Sequence, residues 1–224
     1  MPLSDGNADI AYKLLEHSIS VFRYRPGMRL SPDHISSDIR IGLTPTRTAL
    51  HWLHRDGIID HLPGQGFFVK TPSVEEIRSL YRGNMIQLVG SMVVHSESQD
   101  NISKKQDAQS AAAPTWQGFV RQGDNDVLTS MTETAFNAIA TLSGSDVVIR
   151  AVETLNSRLY FIRLIECDLI DDAAGEVYAL HGLLKQKQYD RLGDAIACYH
   201  ETRIDNAHEL ADAACARALR QQAA

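Results

Sequence analysis

The stretch from Leu30 to Val69 constrains the fold more than any other part of the chain. Ser31 stands where a helix N-cap belongs, and Pro32 follows at the first helical position, where a missing N–H costs nothing. Ile35 and Ile39 give this short helix an apolar stripe, and Arg40-Ile41-Gly42 predicts a tight turn. A second helix is expected to begin near Thr44-Pro45, with Ala49, Leu50 and Leu53 at inward spacing, and to stop at Asp56-Gly57. The apolar pair Ile58-Ile59, a Pro63-Gly64-Gln65-Gly66 turn and the strand-like Phe67-Phe68-Val69 complete a hairpin. Helix, turn, helix and β-hairpin in that order predict a winged helix-turn-helix.

If Ala49, Leu50 and Leu53 face inward, Arg47, Thr48, His51 and Arg55 lie on the other faces of the second helix. The hydroxyls of Thr44 and Thr46, with the free N–H groups of the first turn, suit phosphate oxygens. Arg47 lies one turn in, where a recognition helix meets base edges, and arginine is the usual reader of guanine O6 and N7. Arg40 belongs to the preceding turn, and Gly64, Gln65 and Gly66 form a hairpin tip whose backbone can approach a groove closely. The candidate DNA-binding set is therefore Arg40, Thr44, Thr46, Arg47, Thr48, His51, Gly64, Gln65 and Gly66.

Four motifs recur in order: Pro-Gly-x-Arg-Leu at Pro26–Leu30, Thr-Pro-Thr-Arg-Thr-Ala-Leu at Thr44–Leu50, Leu-x-x-Asp-Gly-Ile-Ile at Leu53–Ile59, and Pro-Gly-Gln-Gly-Phe-Phe-Val at Pro63–Val69. Together they resemble the DNA-binding domain of the GntR superfamily of bacterial transcription regulators. Gly42-Leu43 replaces the Ser-Arg usual before Thr-Pro in that family, and Gln65 stands where its wing often carries a basic residue. The resemblance implies a DNA operator as partner, with its base sequence altered by these departures.

The chain has 224 residues and a formal net charge of -6. That balance argues against a DNA binder until its distribution is considered. Up to Pro72 there are eight basic and seven acidic side chains plus five histidines, so the acidic excess lies in the remainder. Phosphate affinity follows local basic surface. The expected division is 1–72 for DNA binding and 73–224 for effector binding and dimerisation. Apolar runs such as Met85–Val94 are too short to span a bilayer, and the N-terminus has no basic region followed by an apolar run, so a cytoplasmic chain with no membrane partner is expected. Cys167, Cys198 and Cys215 form no C-x-x-C and read as free thiols.

Residues Asn7 to about Phe22 read as an amphipathic helix ended by Arg25-Pro26-Gly27. Ser73 and Glu76 make a capping box for a helix from Val74 to about Ser96. The polar run Glu97–Pro114 predicts a loop, and Trp116–Gln122 a short helical piece. Helices are then expected over Asp126–Leu142, Asp146 to about Ile170, Ala173–Lys187 and Tyr189–Arg220, with no strand pattern after Val69. The fold class is mostly α, a winged helix-turn-helix followed by an all-α bundle. The acidic residues from Glu166 to Asp172 read as a solvated helix end.

The bundle resembles the helical C-terminal domain of the FadR-type branch of GntR regulators, the FCD domain. Glu133-Thr134-Ala135-Phe136-Asn137 followed by Ala140-Thr141-Leu142-Ser143-Gly144-Ser145 carries that resemblance, with His181 and His200 on later helices. Many members hold a divalent metal there through an aspartate and three histidines. Glu133 and Asn137 take the aspartate and first-histidine places, so His181 and His200 remain as weak metal candidates. The resemblance implies a pocket lined by Glu133, Asn137, Arg158, His181 and His200 for a small organic-acid effector. The functional expectation is a ligand-responsive repressor acting as a homodimer on a palindromic operator, and not an enzyme. The alternatives are a small metal enzyme fused to a DNA-binding module, and a DNA-binding scaffold that has lost its ligand.

Overall fold

The computed structural model describes residues 5–20, 23–102 and 125–222, and the expected helical piece at Trp116–Gln122 lies outside them. By contact the chain divides into two compact units, Met1–Ser73 with Asp212–Ala224, and Val74–Ala211. The first unit opens with α1 (Asp5–Ser20), β1 (Arg29–Leu30), α2 (Pro32–Ile39) and α3 (Leu43–Arg55), followed by β2 (Ile59–Leu62) and β3 (Gly66–Val69). The sheet is antiparallel with order β1-β3-β2, pairing Arg29 with Phe68 and His61 with Phe67. No strand is expected from the sequence at Arg29-Leu30. Two residues are too few to show alternation, and their pairing to β3 comes from residues nearly forty positions on.

Helix α3 buries Thr46, Ala49, Leu50 and Leu53, the i, i+3, i+4, i+7 stripe of an amphipathic helix. That stripe packs with Ala11 and Leu15 of α1, Leu30, Ile35 of α2, and Ile59, Phe67 and Val69 of the hairpin. Arg40 takes a left-handed conformation (φ 55°) and ends α2, its N–H donating to the Ser36 carbonyl. Ser31 occupies the N-cap position of α2 as expected, but its side chain makes no capping bond. Gly57, at φ 74°, closes α3. In the hairpin, Gly64 and Gly66 adopt φ 75° and 103°, and the Gln65 N–H donates to the Leu62 carbonyl at 3.0 Å.

The second unit holds α4 (Val74–Ile102), α5 (Asn125–Thr141), α6 (Asp146–Leu169), α7 (Ala173–Lys185) and α8 (Tyr189–Asp205), with α9 (Ala207–Gln222) following. Helix α4 packs on α6 and α8, and α5 on α6 and α7. Two boundaries differ from expectation. Helix α4 runs six residues past Ser96, because the polar run there contains no glycine or proline and polarity alone does not end a helix. The single helix expected over Tyr189–Arg220 breaks at Asn206, whose side-chain amide donates back to the Thr202 carbonyl at 2.8 Å. Among the described residues no strand follows β3, and no helix is long and apolar enough to cross a membrane.

Leu53 is fully buried between α3 and its neighbours. Leu53→Ala should lower the stability of the first unit by about 2–5 kcal/mol. Trp52 fluorescence in a Trp116→Phe background, followed through urea unfolding, reports on this unit, and an unchanged midpoint would contradict the packing.

Candidate functional site

The stripe that α3 buries decides what it presents. Arg47 and His51, one turn apart, are exposed, as is Thr44 at the helix start. Arg47 makes no ion pair among the described residues, whereas Arg55 is held by Asp56 at 2.9 Å. Thr48 is half-buried and its hydroxyl donates to the Thr44 carbonyl at 3.2 Å. Arg40, Gly64 and Gln65 are exposed, and Gly66 is half-buried. Gly66 needs its positive φ, and a Cβ there would lie 3.7 Å from the Arg29 Nε.

Thr46 is a correction. It is fully buried, and its hydroxyl donates to the Gly42 carbonyl at 3.0 Å. Position 46 opens the buried stripe, so its side chain anchors the start of α3 to the core and is withdrawn from the surface assigned to DNA. His61 was not singled out from the sequence. It lies on β2 with its ring stacked on Phe67 at 4.5 Å, and 5.6 Å from the ring of His51. Residue type at alternate strand positions gives only a faint sign of this, since the neighbour on α3 is set by the tertiary fold.

The bundle interior is polar at its centre. Glu166 accepts from the hydroxyls of Tyr81 and Tyr199, and its Oε2 lies 3.3 Å from the Arg203 Nε. Arg203 also pairs with Glu176 at 2.5 Å and lies over the Tyr199 ring. This corrects the reading of Glu166 as solvated, because it is buried one turn before the helix end and only Asp168 to Asp172 approach solvent. Burial opposes charge on Arg203, but Glu166, Tyr199 and Glu176 outweigh it and hold the guanidinium protonated. Burial, reinforced by Glu166, raises both tyrosine hydroxyls well above their ordinary range, so they stay protonated and donate.

A second chain of contacts joins α5 and α6. Arg163, 1% exposed, donates to Asn156 Oδ1 at 2.9 Å, and Asn156 donates to Asn137 Oδ1 at 2.8 Å. Glu133 lies 3.9 Å from Arg163. The Nε and one terminal nitrogen of Arg163 have no hydrogen-bond partner. Arg158, expected to line an effector pocket, pairs with Glu76 of α4 at 2.8 Å. The buried arginine of α6 is Arg163, and an arginine inside the apolar run Phe161-Ile162-Arg163-Leu164-Ile165 was the signal available in sequence.

His181 and His200 have different surroundings. The half-buried His181 donates through Nε2 to the Met131 carbonyl at 3.0 Å. His200 is fully buried, stacked on Phe136, with Nδ1 donating to the Ile196 carbonyl at 2.7 Å and Nε2 3.0 Å from the Asn84 amide. Burial drives its pKa down to about 3, so the ring is neutral and Nε2 accepts; the Asn84 NH2, otherwise unpartnered, supplies the donor when that amide is turned over. These donors do not fit a metal. Both nitrogens of His200 are engaged, and among the described residues no group of three histidine, cysteine or acidic side chains comes together as a metal requires. Cys167, Cys198 and Cys215 are free thiols.

Residues 7–69 match the bacterial regulatory proteins of the gntR family, a family of regulators and not of enzymes. No curated protein sequence matches the chain. Among solved structures, a candidate transcriptional regulator GntR from Rhodococcus sp. RHA1 is similar over 91% of this chain and 98% of its own, with 17% identity and a TM-score of 0.63. McbR/YncC of E. coli is similar over 91% of this chain and 97% of its own, with 16% identity and a TM-score of 0.61. At those identities the likeness shows the fold, a GntR-type helix-turn-helix with its wing followed by a helical bundle.

The pH dependence of the bundle follows from His200. Its folded pKa lies below the unfolded value of about 6.5, so the unfolded chain takes up the proton first as pH falls. Stability from this group is complete above the unfolded value and is lost between 6.5 and about 3. Below about pH 6.5 wild type should lose stability relative to His200→Gln by up to about 1.4 kcal/mol per pH unit. Urea unfolding followed by far-UV circular dichroism measures the difference, and a pH-independent gap would refute it.

Proposed function

We propose that the chain is a transcription regulator that reads double-stranded DNA with α3 and the wing. It binds a palindromic operator as a homodimer and acts as a repressor released by a small organic acid held in the helical bundle. The observation that carries the reading is the placement of Arg47 and Thr44 on the exposed side of α3, opposite its buried stripe, in a segment that matches the gntR family. Arginine early in a recognition helix reaches base edges, and the first-turn N–H groups suit phosphate.

An anionic effector is favoured by Arg163. A buried guanidinium with two unpartnered nitrogens has the hydrogen-bonding capacity to receive a carboxylate, near Glu133 and Asn137, which the FCD resemblance assigns to an effector pocket. Dimerisation through the bundle is supported by α4, which exposes Ile86 and Val93 one heptad apart with the exposed Gly90 between them. Two apolar side chains flanking a glycine permit close helix–helix approach.

Two experiments test this reading. An operator selected from a random duplex library should bind wild type tightly, and Arg47→Ala should lose about 1–3 kcal/mol of that affinity with helicity intact; equal affinity at matched salt would remove α3 as the recognition helix. The Ile86→Asp, Val93→Asp variant should run as a monomer in sedimentation equilibrium and bind the full palindrome far more weakly, because two half-sites then lose their shared effective concentration. A dimer that survives both substitutions would place the interface elsewhere.

A further inference from the structure

Three imidazoles meet where α3 faces the wing. His51 and His54 project from α3, and His61 from β2 lies against both, with ring centroids 5.6 and 5.8 Å away. All three are exposed. The backbone fixes the arrangement, because His61 pairs with Phe67 across the hairpin and stacks on it, and His51 packs edge-on to the same Phe67 at 5.0 Å. His54 spends its Nδ1 on the Ile59 carbonyl at 3.2 Å. His51 lies one turn beyond Arg47 on the same side of α3, so the cluster extends the line of the arginine toward the wing.

The charge around this cluster is sparse. On α3, Arg47 has no acidic partner among the described residues and Arg55 is neutralised by Asp56. On β2, Asp60 occupies the strand face opposite His61 and pairs with Phe68. On β1, Arg29 lies beside Gly66, and β3 carries no titratable side chain before Lys70. Helix α1, packed on α3, brings Tyr12 to Asp56, with Glu16 close to that hydroxyl. With eight basic against seven acidic residues in this part of the chain, each added cation changes its attraction for a polyanion appreciably. Three clustered imidazoles repel one another when charged, and a nearby phosphate relieves that repulsion.

We infer that His51 and His61 form a phosphate-contacting edge between α3 and the wing, which takes up protons when duplex DNA binds. The inference rests on the reading of α3 as the DNA-facing helix. A neutral imidazole offers one N–H to a phosphate oxygen, whereas the imidazolium offers two and a positive charge. Binding is therefore linked to proton uptake, and DNA affinity rises as pH falls through the imidazole range.

Because phosphate contact is independent of sequence, a mixed-sequence duplex long enough for a dimer serves as the probe for the full-length chain. Fluorescence anisotropy at about pH 6 and about pH 8, either side of the ordinary imidazole value of about 6.5, should give about ten-fold tighter binding at the lower pH and a salt dependence steeper by about one to two ions. His51→Gln with His61→Gln should flatten the pH dependence. His61→Arg should bind at the higher pH about as tightly as wild type at the lower. By NMR, the imidazole titrations of His51 and His61 should move up on adding duplex, with His95 of the bundle unmoved. A pH dependence that persists in the double glutamine variant overturns the inference. So does a flat wild-type profile, and if Arg47→Ala still weakens binding in that case, the DNA-binding reading stands without it. Absence of duplex binding at either pH overturns both.

Discussion

The first unit depends on one stripe, Thr46, Ala49, Leu50 and Leu53 of α3, closing against α1, α2 and the hairpin. A 13-residue helix is marginal in isolation, so its stability comes from this burial and not from intrinsic propensity. The same contacts fix its rotation about its own axis. With positions 46, 49, 50 and 53 inside, position 47 lies outside, and His51 follows it one turn on. The side of α3 available to a partner is thus a by-product of packing, and Thr46, chemically suited to phosphate, is withdrawn by the same geometry that exposes Arg47.

The bundle is organised differently. Its centre contains Glu166 and Arg203, both almost fully buried, together with two tyrosine hydroxyls. Removing two charges from water costs several kcal/mol per ion, and their mutual attraction offsets this only when the remaining donors and acceptors are satisfied. Glu166 meets that condition, with both oxygens occupied by tyrosines. Deleting either member of the pair would leave the other charge stranded, at a cost of about 3–5 kcal/mol, so Glu166 and Arg203 tie α6 to α8. Arg163 is equally buried, attached through one nitrogen to Asn156, and like Arg203 it keeps its Nε and one terminal nitrogen without a hydrogen bond. Within one helix, Glu166 is saturated and Arg163 is not.

The helix-turn-helix was legible because its signals are local. Capping positions, the turn at Arg40, the helix stop at Gly57 and the hairpin glycines each act within a few residues, and the 3.6-residue period of α3 gave its inward face except for Thr46. Threonine is ambiguous by chemistry, and only the register of the stripe resolves it. The strand at Arg29-Leu30 and the His51–His61 contact were not legible, since both are made by distant segments. In the bundle, helix positions could be read from periodicity, but the partners of Arg158, Arg163, Glu166 and His200 depend on which helices adjoin, and sequence spacing carries no information on that. The acidic run from Glu166 to Asp172 misled for the same reason, because its first member faces the bundle interior while Asp168, Asp171 and Asp172 are exposed.

The distribution of charge bears on how the proposed regulation works. A proposed DNA-binding segment with eight basic against seven acidic side chains up to Pro72 would gain little from counterion release, the term that supplies sequence-independent affinity. A single copy would then hold DNA weakly, and tight binding would require two copies joined at the spacing of the half-sites. Control of such a protein does not need to disturb α3. A ligand that changes the relative placement of the two copies removes the shared effective concentration while leaving each winged domain folded. A bundle with unsatisfied donors at Arg163 is the place where binding energy could be coupled to such a change.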